Sequence, residues 1–252
     1  MVIKKPLAKV NGDYDVPSTQ RPRRPALTNQ PPSERIVTAP PVALILAASL
    51  PILFWLQTTL PDGGLSLAFS PASLWKGDWW PGIFTSMFIH HGWGHVAMNA
   101  VGVLAFAPPI ARLMPGGRGV LGFLSFYIVT GLVGTAGYAL VHLDSFDALG
   151  GASGAVFGLM GAALRLLGRR DGRLRSLGDR RFLVMAAVIM GVNLGAGLIG
   201  LAPGAGAGAR VAWEAHAFGF IAGALLIGPW ALLFRSRSTS FDSPTDLRDP
   251  SA

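Results

Sequence analysis

The sequence predicts an all-α membrane protein with six transmembrane helices, and its composition is the first evidence. Of its 252 residues, 51% are hydrophobic and only 13% are charged, whereas about 25% of the residues in an average soluble domain are charged. The 33 glycines are typical of transmembrane helices, because glycine lets neighbouring backbones approach closely. The chain contains no cysteine, so any covalent chemistry has to use another side chain.

The second observation is that six segments are long and apolar enough to cross a bilayer, which takes about 20 residues of helix. A long loop, about 61–93, separates the first two segments, and we expect its tryptophans to place part of it in the outer interface. The polar run 168–181 separates the short fourth segment from the fifth. In chain order, the predicted spans are about 42–60, 95–114, 120–141, 153–167, 182–201 and 211–234.

Lysine and arginine predict the orientation, because short loops that carry them stay on the cytoplasmic side. With six spans and both termini inside, only Lys76 and Arg210 of the loop cations fall outside. The net charge of +8 then reflects topology, and nucleic-acid binding is not needed to explain it. The predicted domains are a disordered, basic, proline-rich cytoplasmic tail over 1–40, a transmembrane domain over 41–235 and a disordered cytoplasmic tail over 236–252.

At the start of the second span, His95 and Asn99 lie four residues apart and share one helix face. Ionisable side chains in a membrane are costly and point to function, although such a pair taken alone is more often a packing contact between helices. A metal site with His90 is also conceivable. Five residues separate the two histidines and no acidic residue lies nearby, so we expect no metal.

Ser153 opens the fourth span between glycines, in the run Gly-Gly-Ala-Ser-Gly that includes Gly151. Small neighbours leave the hydroxyl accessible, and the unpaired N–H groups at a helix start can stabilise a negative charge. Both features suit a nucleophile and an oxyanion. The alternative is a packing face, since Gly154 and Gly158 form a Gly-x-x-x-Gly pair, and the two interpretations are compatible.

His216 lies near the start of the sixth span and shares a helix face with Gly219 and Gly223. The imidazole therefore projects from a smooth stripe that lets this helix approach a neighbour closely. As an isolated observation, a buried histidine held by a hydrogen bond is as compatible with this pattern as a catalytic one.

Depth in the membrane favours a single site. The second, fourth and sixth spans all begin at the outer face in the predicted topology, and the polar residues of each lie within its first two turns. A serine, a histidine and hydrogen-bond donors at one depth, within reach of outside water, form the arrangement that a hydrolase requires. The residues that share this depth are His95, Asn99, Ser153 and His216.

The motifs also follow a specific order along the chain. In chain order they are Thr85-Ser-Met-Phe-Ile-His90, His95 with Asn99, Gly151-Ala-Ser153-Gly154, and Ala215-His216 with Gly219 and Gly223. In this order they resemble the rhomboid family of intramembrane serine proteases, from about Trp80 to Trp230. The resemblance implies a rhomboid-like six-helix bundle, a Ser153–His216 dyad without a catalytic aspartate, and hydrolysis of peptide bonds in or near transmembrane segments of other proteins.

The resemblance implies a role for each polar residue of the site. His216 takes the proton of the Ser153 hydroxyl and later returns it to the leaving amine. His90, Asn99 and the N–H of Ser153 hold the oxyanion, while His95 helps to order the site. The residues implied to bind the oxyanion or to order the site are His90, His95, Asn99 and Gly151.

Three positions depart from the family's usual pattern. Phe157 stands where a tyrosine often follows the serine by four residues, and it keeps the ring that stacks on the histidine but lacks the hydroxyl. Trp80-Pro81 replaces a common Trp-Arg pair, and Ala111 replaces a glutamate of the second span. The last two changes concern the long loop and helix packing, not the dyad.

We therefore expect a multi-pass protein of a bacterial cytoplasmic membrane, with both termini in the cytoplasm. Its expected partners are transmembrane protein substrates and the lipid bilayer, with no cofactor, metal or nucleic acid. One alternative is a rhomboid-like, non-proteolytic factor that binds membrane proteins, although such proteins typically lose the serine or the histidine. Another is a transporter or channel, but transporters place their polar groups near the midplane at broken helices.

Overall fold

A computed structural model of the chain describes residues 39–76, 81–168, 173–200 and 210–234. The predicted C-terminal tail, and all but the last two residues of the predicted N-terminal tail, lie outside these residues. The described parts are all-helical, with two 3₁₀ turns at Leu65–Leu67 and Ser86–Phe88 and one isolated β-bridge between Phe69 and Leu149. The α-helices are α1 (Pro41–Gln57), α2 (Pro71–Trp75), α3 (Gly82–Thr85), α4 (Trp93–Leu113), α5 (Gly116–Val141), α6 (Ser153–Leu166), α7 (Arg180–Leu198) and α8 (Trp213–Phe234).

Four helices, α4, α5, α7 and α8, are long and apolar enough to cross a membrane. They coincide with the second, third, fifth and sixth predicted spans, so the chain is an integral, multi-pass membrane protein. The other two predicted spans coincide with α1 and α6, apolar helices of 17 and 14 residues. That these two shorter helices also cross the bilayer stays a prediction, as does the interfacial position of the segment between α1 and α4.

Helices α6 and α8 approach each other so closely that glycines of α8 lie against backbone oxygens of α6. This contact lies at the centre of the fold. A Cβ atom added to Gly219 would collide with the carbonyl oxygen of Gly154, and one added to Gly223 would collide with that of Gly158. Glycine is required at both levels, because a backbone oxygen cannot rotate away as a side chain can. The glycine stripe of the sixth predicted span therefore brings the starts of α6 and α8 together.

We expect Gly223→Ala to destabilise the fold, because the added methyl group forces α8 away from the Gly158 carbonyl. Overpacking of this kind typically costs about 1–3 kcal/mol, which thermal unfolding of the purified protein in detergent measures. The matched control is Gly191→Ala in α7, where an added Cβ would meet nothing within 4 Å. Equal unfolding temperatures for the two variants would show that the α6–α8 contact is looser than described.

Helix α7 lies at the edge of the fold. Only 17% of its most apolar 18-residue window is buried, against 39–50% for the other three long helices. Its inner face packs on α6 and α8 through a small apolar cluster that includes Phe182, Leu164 and Phe220. Most of the side chains on its other face, such as Val188 and Val192, are exposed and available to lipid.

The start of α7 is fixed by Asp179, whose carboxylate accepts hydrogen bonds from the backbone N–H groups of Arg181 and Phe182. The bond from Phe182 is the main reason that the pKa of this carboxyl lies below its ordinary value of 3.8, and nearby Arg175 also contributes. Since the charged form is the one that caps the helix, this stabilisation is present at neutral pH and is lost as the pH falls through the lowered pKa.

Candidate active site

Ser153 and His216 are in direct contact. Ser153 is the first residue of α6, and His216 lies in the first turn of α8. The Ser153 Oγ and the Nε2 of His216 are 2.7 Å apart, a hydrogen-bond distance. The close glycine contact between the two helices, one turn further along at Gly219 and Gly154, makes this approach possible. Both residues are only partly buried, and both line the same cavity.

Phe157 covers one face of the His216 ring. It lies one helical turn after Ser153, and its ring is stacked on the imidazole with centroids 4.2 Å apart and planes inclined by 6°. Such stacking restricts the rotation of the imidazole. The ring contact therefore needs no hydroxyl at this position, and phenylalanine supplies it.

The second ring nitrogen of His216 contacts Asn193 of α7. The sequence alone did not indicate Asn193 as a site residue. Its Oδ1 lies 2.7 Å from the Nδ1 of His216, and its Nδ2 donates to the carbonyl oxygen of Trp213 at 2.9 Å. Asn193 is the only polar residue between Phe182 and Leu198. That isolation inside an apolar span was the available signal, because polar groups there are costly.

Gly151 lies between Ser153 and His95. Its φ of +137° is a conformation that favours glycine, and its N–H donates to the carbonyl oxygen of Ser86 at 2.9 Å. A Cβ atom here would lie 2.9 Å from the Nε2 of His95 and 3.6 Å from the Ser153 Oγ. Glycine is therefore needed both for the backbone turn and for the close approach of the histidine.

His95 and Asn99 both face the cavity in front of Ser153. They lie one turn apart on α4 and line the cavity together with Ser153 and His216. Asn99 is 4% exposed, and its Nδ2 is buried without a hydrogen-bond partner, as is the Nδ1 of His95. Buried polar atoms without a partner are costly, so their presence at a cavity points to a ligand that binds there.

His90, to which the family resemblance gives an oxyanion role, lies next to His95. It is 2% exposed, its ring packs edge-on against His95, and it is not among the described residues that line the cavity. Its backbone is held on both sides by Gln57 of α1, through His90 N to Oε1 and Nε2 to His90 O, each at 2.8 Å. His95 therefore lies at the cavity, and His90 packs behind His95, away from the cavity.

The cavity has a volume of about 890 Å³, within the range of roughly 300–1,000 Å³ that is usual for ligand sites. Its lining is largely apolar and includes Met98, Phe106 and Met160, and it also contains the polar residues Ser153 and His216. Within the described residues, no group of three or more His, Cys, Asp or Glu side chains is arranged to hold a metal ion. The site thus offers a hydroxyl, an imidazole and fixed donors.

The family of the chain follows from a comparison with models of known families. Residues 76–232 match the model of the rhomboid domain, which is more than half of the chain. The chain belongs to the rhomboid family. The matched region includes α4 to α7 and all but the last two residues of α8, and therefore contains Ser153, His216, Asn193, His95 and Asn99 of this rhomboid.

Similar proteins of this family come from a bacterium and a plant. The rhomboid is 29% identical over 178 residues to the Bacillus subtilis (strain 168) protein named "Putative rhomboid protease YdcA", covering 66% of this chain and 85% of the relative. It is 32% identical over 124 residues to rhomboid protease GluP of the same organism, covering 48% and 22%. With RHOMBOID-like protein 9, chloroplastic, of Arabidopsis thaliana, the identity is 33% over 88 residues, covering 35% and 18%.

Proposed function

We propose that this rhomboid is an intramembrane serine protease with Ser153 and His216 as its catalytic dyad. The observation that carries the proposal is the 2.7 Å hydrogen bond between the Ser153 hydroxyl and the Nε2 of His216. Two relatives carry the name rhomboid protease, which supports proteolysis as the activity of the family member described here. A serine hydroxyl is a weak nucleophile at neutral pH, and an adjacent base is the usual way to activate it.

The proposed reaction has two steps. The Ser153 Oγ attacks the carbonyl carbon of a peptide bond while Nε2 of His216 takes its proton, and the carbonyl oxygen becomes an oxyanion. His216 then gives that proton to the leaving amine, the C–N bond breaks, and an acyl ester on Ser153 remains. Water attacks the ester with His216 again as the base, which releases the carboxylate product and restores the serine hydroxyl.

We assign the oxyanion to the backbone N–H of Ser153 and to the side chains of Asn99 and His95. The N–H of Ser153 is one of the unpaired donors at the start of α6, and the other two line the same cavity. His90 then orders the site from behind His95, which exchanges the two histidine roles that the family resemblance implied. Gly151 leaves the space that His95 needs.

The cavity suits a peptide segment that comes from the bilayer. Its lining is largely apolar, and the proposed catalytic groups lie at the starts of α4, α6 and α8. A transmembrane segment has satisfied its own backbone hydrogen bonds and must unwind locally to expose a peptide bond. We therefore propose transmembrane proteins as substrates, cut in or near the membrane-spanning segment.

The proposed topology has six spans, with α1 and α6 as the first and fourth, and both termini in the cytoplasm of a bacterium. Two of the similar proteins are bacterial, and the distribution of lysine and arginine supports the orientation. The transmembrane domain then covers about 41–235, between a basic tail over 1–40 and a tail over 236–252. Residues 1–38 and 235–252 lie outside the described structure.

The proposal is tested with the full chain in liposomes that also contain a single-span reporter with fluorescent labels at both ends. We expect cleavage at a defined peptide bond in or near the span, located by mass spectrometry of the two products. If the reporter binds to the folded protein but stays intact, the protein is a non-proteolytic binding factor and not a protease. Empty liposomes with the reporter are the control for spontaneous hydrolysis.

A further inference from the structure

We propose that Asn193 is a positioning residue that sets the tautomer and the orientation of His216. The inference rests on the proposed function, since it concerns the same base. Its starting point is the 2.7 Å contact between the Oδ1 of Asn193 and the Nδ1 of His216, on the opposite side of the ring from Ser153. Asn193 contacts the base and is not among the described residues that line the cavity.

The second hydrogen bond of Asn193 decides which end of its amide faces the histidine. The Trp213 carbonyl oxygen can only accept, so the group 2.9 Å from it is the NH₂ of Asn193. The amide oxygen is therefore the atom that faces the imidazole. Because that oxygen can only accept, the Nδ1 of His216 has to carry a proton.

This tautomer is the one that a base opposite Ser153 needs. In a neutral imidazole only one nitrogen is protonated, so a proton on Nδ1 leaves Nε2 free to accept from the Ser153 hydroxyl. With the opposite tautomer, Nε2 would present a proton to the hydroxyl and could not take another. Asn193 therefore favours the protonation state in which His216 can remove the serine proton.

The position of Asn193 on α7 supports a dedicated role. Its neighbours Val192 and Leu194 are 69% and 37% exposed, whereas Asn193 itself is 6% exposed. A buried carboxamide in a membrane span is unfavourable unless its hydrogen bonds are made, and both ends of this one are bonded to the first turn of α8. The side chain of Asn193 is thus held by two hydrogen bonds, which direct its amide oxygen at His216.

Gly197 makes the contact between α7 and α8 possible. It lies one turn after Asn193, and a Cβ atom there would be 2.5 Å from the Trp213 side chain. The absence of a side chain lets Trp213 lie against α7, which places its carbonyl oxygen within reach of Asn193. The side-chain amide of Asn193 thereby connects α7, the least buried of the four long helices, to His216.

The experiment compares two replacements of nearly the same shape as asparagine, Asn193→Leu and Asn193→Asp. Leucine suits an apolar span but accepts no hydrogen bond, whereas aspartate keeps the acceptor. We expect Asn193→Leu to lower kcat by about 100-fold, as misplacement of a catalytic group can, with an unchanged KM. Asn193→Asp should keep most of the wild-type kcat. The matched control is Val192→Ala, on the lipid-facing side of the same helix.

All variants are assayed in liposomes with one transmembrane reporter, and their thermal unfolding is measured in detergent. A kcat for the leucine variant equal to or above that of the aspartate variant would overturn the inference, because a purely structural asparagine in an apolar span tolerates leucine better than a buried aspartate. A loss in KM alone would also overturn it. If the wild-type chain itself does not cleave the reporter, the proposed protease function fails, and that result is separate from any difference among the Asn193 variants.

Discussion

Replacement of Ser153 or His216 by alanine is expected to remove proteolysis altogether. Ser153→Ala deletes the attacking oxygen, and His216→Ala deletes the base that lies 2.7 Å from it. Loss of one member of such a unit lowers kcat by on the order of 10⁶-fold in serine proteases, which puts both variants below detection in a liposome assay with a transmembrane reporter. The fold should persist, because neither side chain belongs to the main hydrophobic core.

The control for this pair is Ser125→Ala, which removes a hydroxyl of α5 that donates to the carbonyl oxygen of Gly122 and accepts from the Nε1–H of Trp230 in α8. It should retain wild-type kcat. The double variant Ser153→Ala with His216→Ala should be no slower than either single variant, because the two groups act as one unit. Cleavage by Ser153→Ala at the wild-type rate would exclude the dyad.

The second large effect is expected at the oxyanion. Asn99→Ala and His95→Ala should each slow cleavage without abolishing it, because each removes one donor that faces the cavity. Loss of one such donor typically lowers kcat by about 10²–10³-fold. KM should change little, since the charge that these donors stabilise develops only in the transition state. The measurement is kcat and KM with the liposome reporter.

Two further variants, Val101→Ala and His90→Ala, serve as controls for the test of the oxyanion donors. Val101→Ala changes a side chain of the same helix that is 64% exposed, and it should leave kcat unchanged. His90→Ala should lower the unfolding temperature more than it lowers kcat per folded molecule, since His90 lies behind His95 and is off the cavity. If His90→Ala lost kcat while His95→Ala kept it, the assignment of His95 to the oxyanion would be wrong.

Much of the helical fold follows from local sequence. Hydropathy located the four long helices to within a few residues, because apolar length is what a bilayer requires. Helix α4 begins at Trp93, two residues before the predicted span, and α8 begins at Trp213, two residues after it. Such shifts are expected, because helix ends depend on neighbouring loops that a window average does not resolve.

The contact between Ser153 and His216 was accessible from sequence for a physical reason. Glycines at regular helical spacing favour close helix contacts, and both residues lie near the start of a span that begins at the same predicted face. The fifth span runs in the opposite direction, and Asn193 lies near the far end of α7, so it reaches the same depth. Its side chain is a neutral amide and not an ionisable group, so it gives a weaker sequence signal of function than a histidine does.

The roles of His90 and His95 could not be separated from sequence alone. The two residues are five apart across the start of a helix, and their directions depend on Gly92, whose φ of 165° is extended, and on the loop before it. Gln57, which fixes the His90 backbone, lies 33 residues earlier on α1. No local pattern predicts such a long-range contact, so only the folded chain shows which histidine faces the cavity.

The activation of Ser153 by His216 is tested most directly by finding which residue reacts with a serine-directed fluorophosphonate probe. The intact protein is labelled in liposomes, and the modified peptide is identified by mass spectrometry. We expect a single adduct on the Ser153 oxygen, which forms in the wild-type protein and is lost in His216→Ala. An adduct on another residue, or labelling of Ser153 at the same rate without His216, would contradict a serine that this histidine activates.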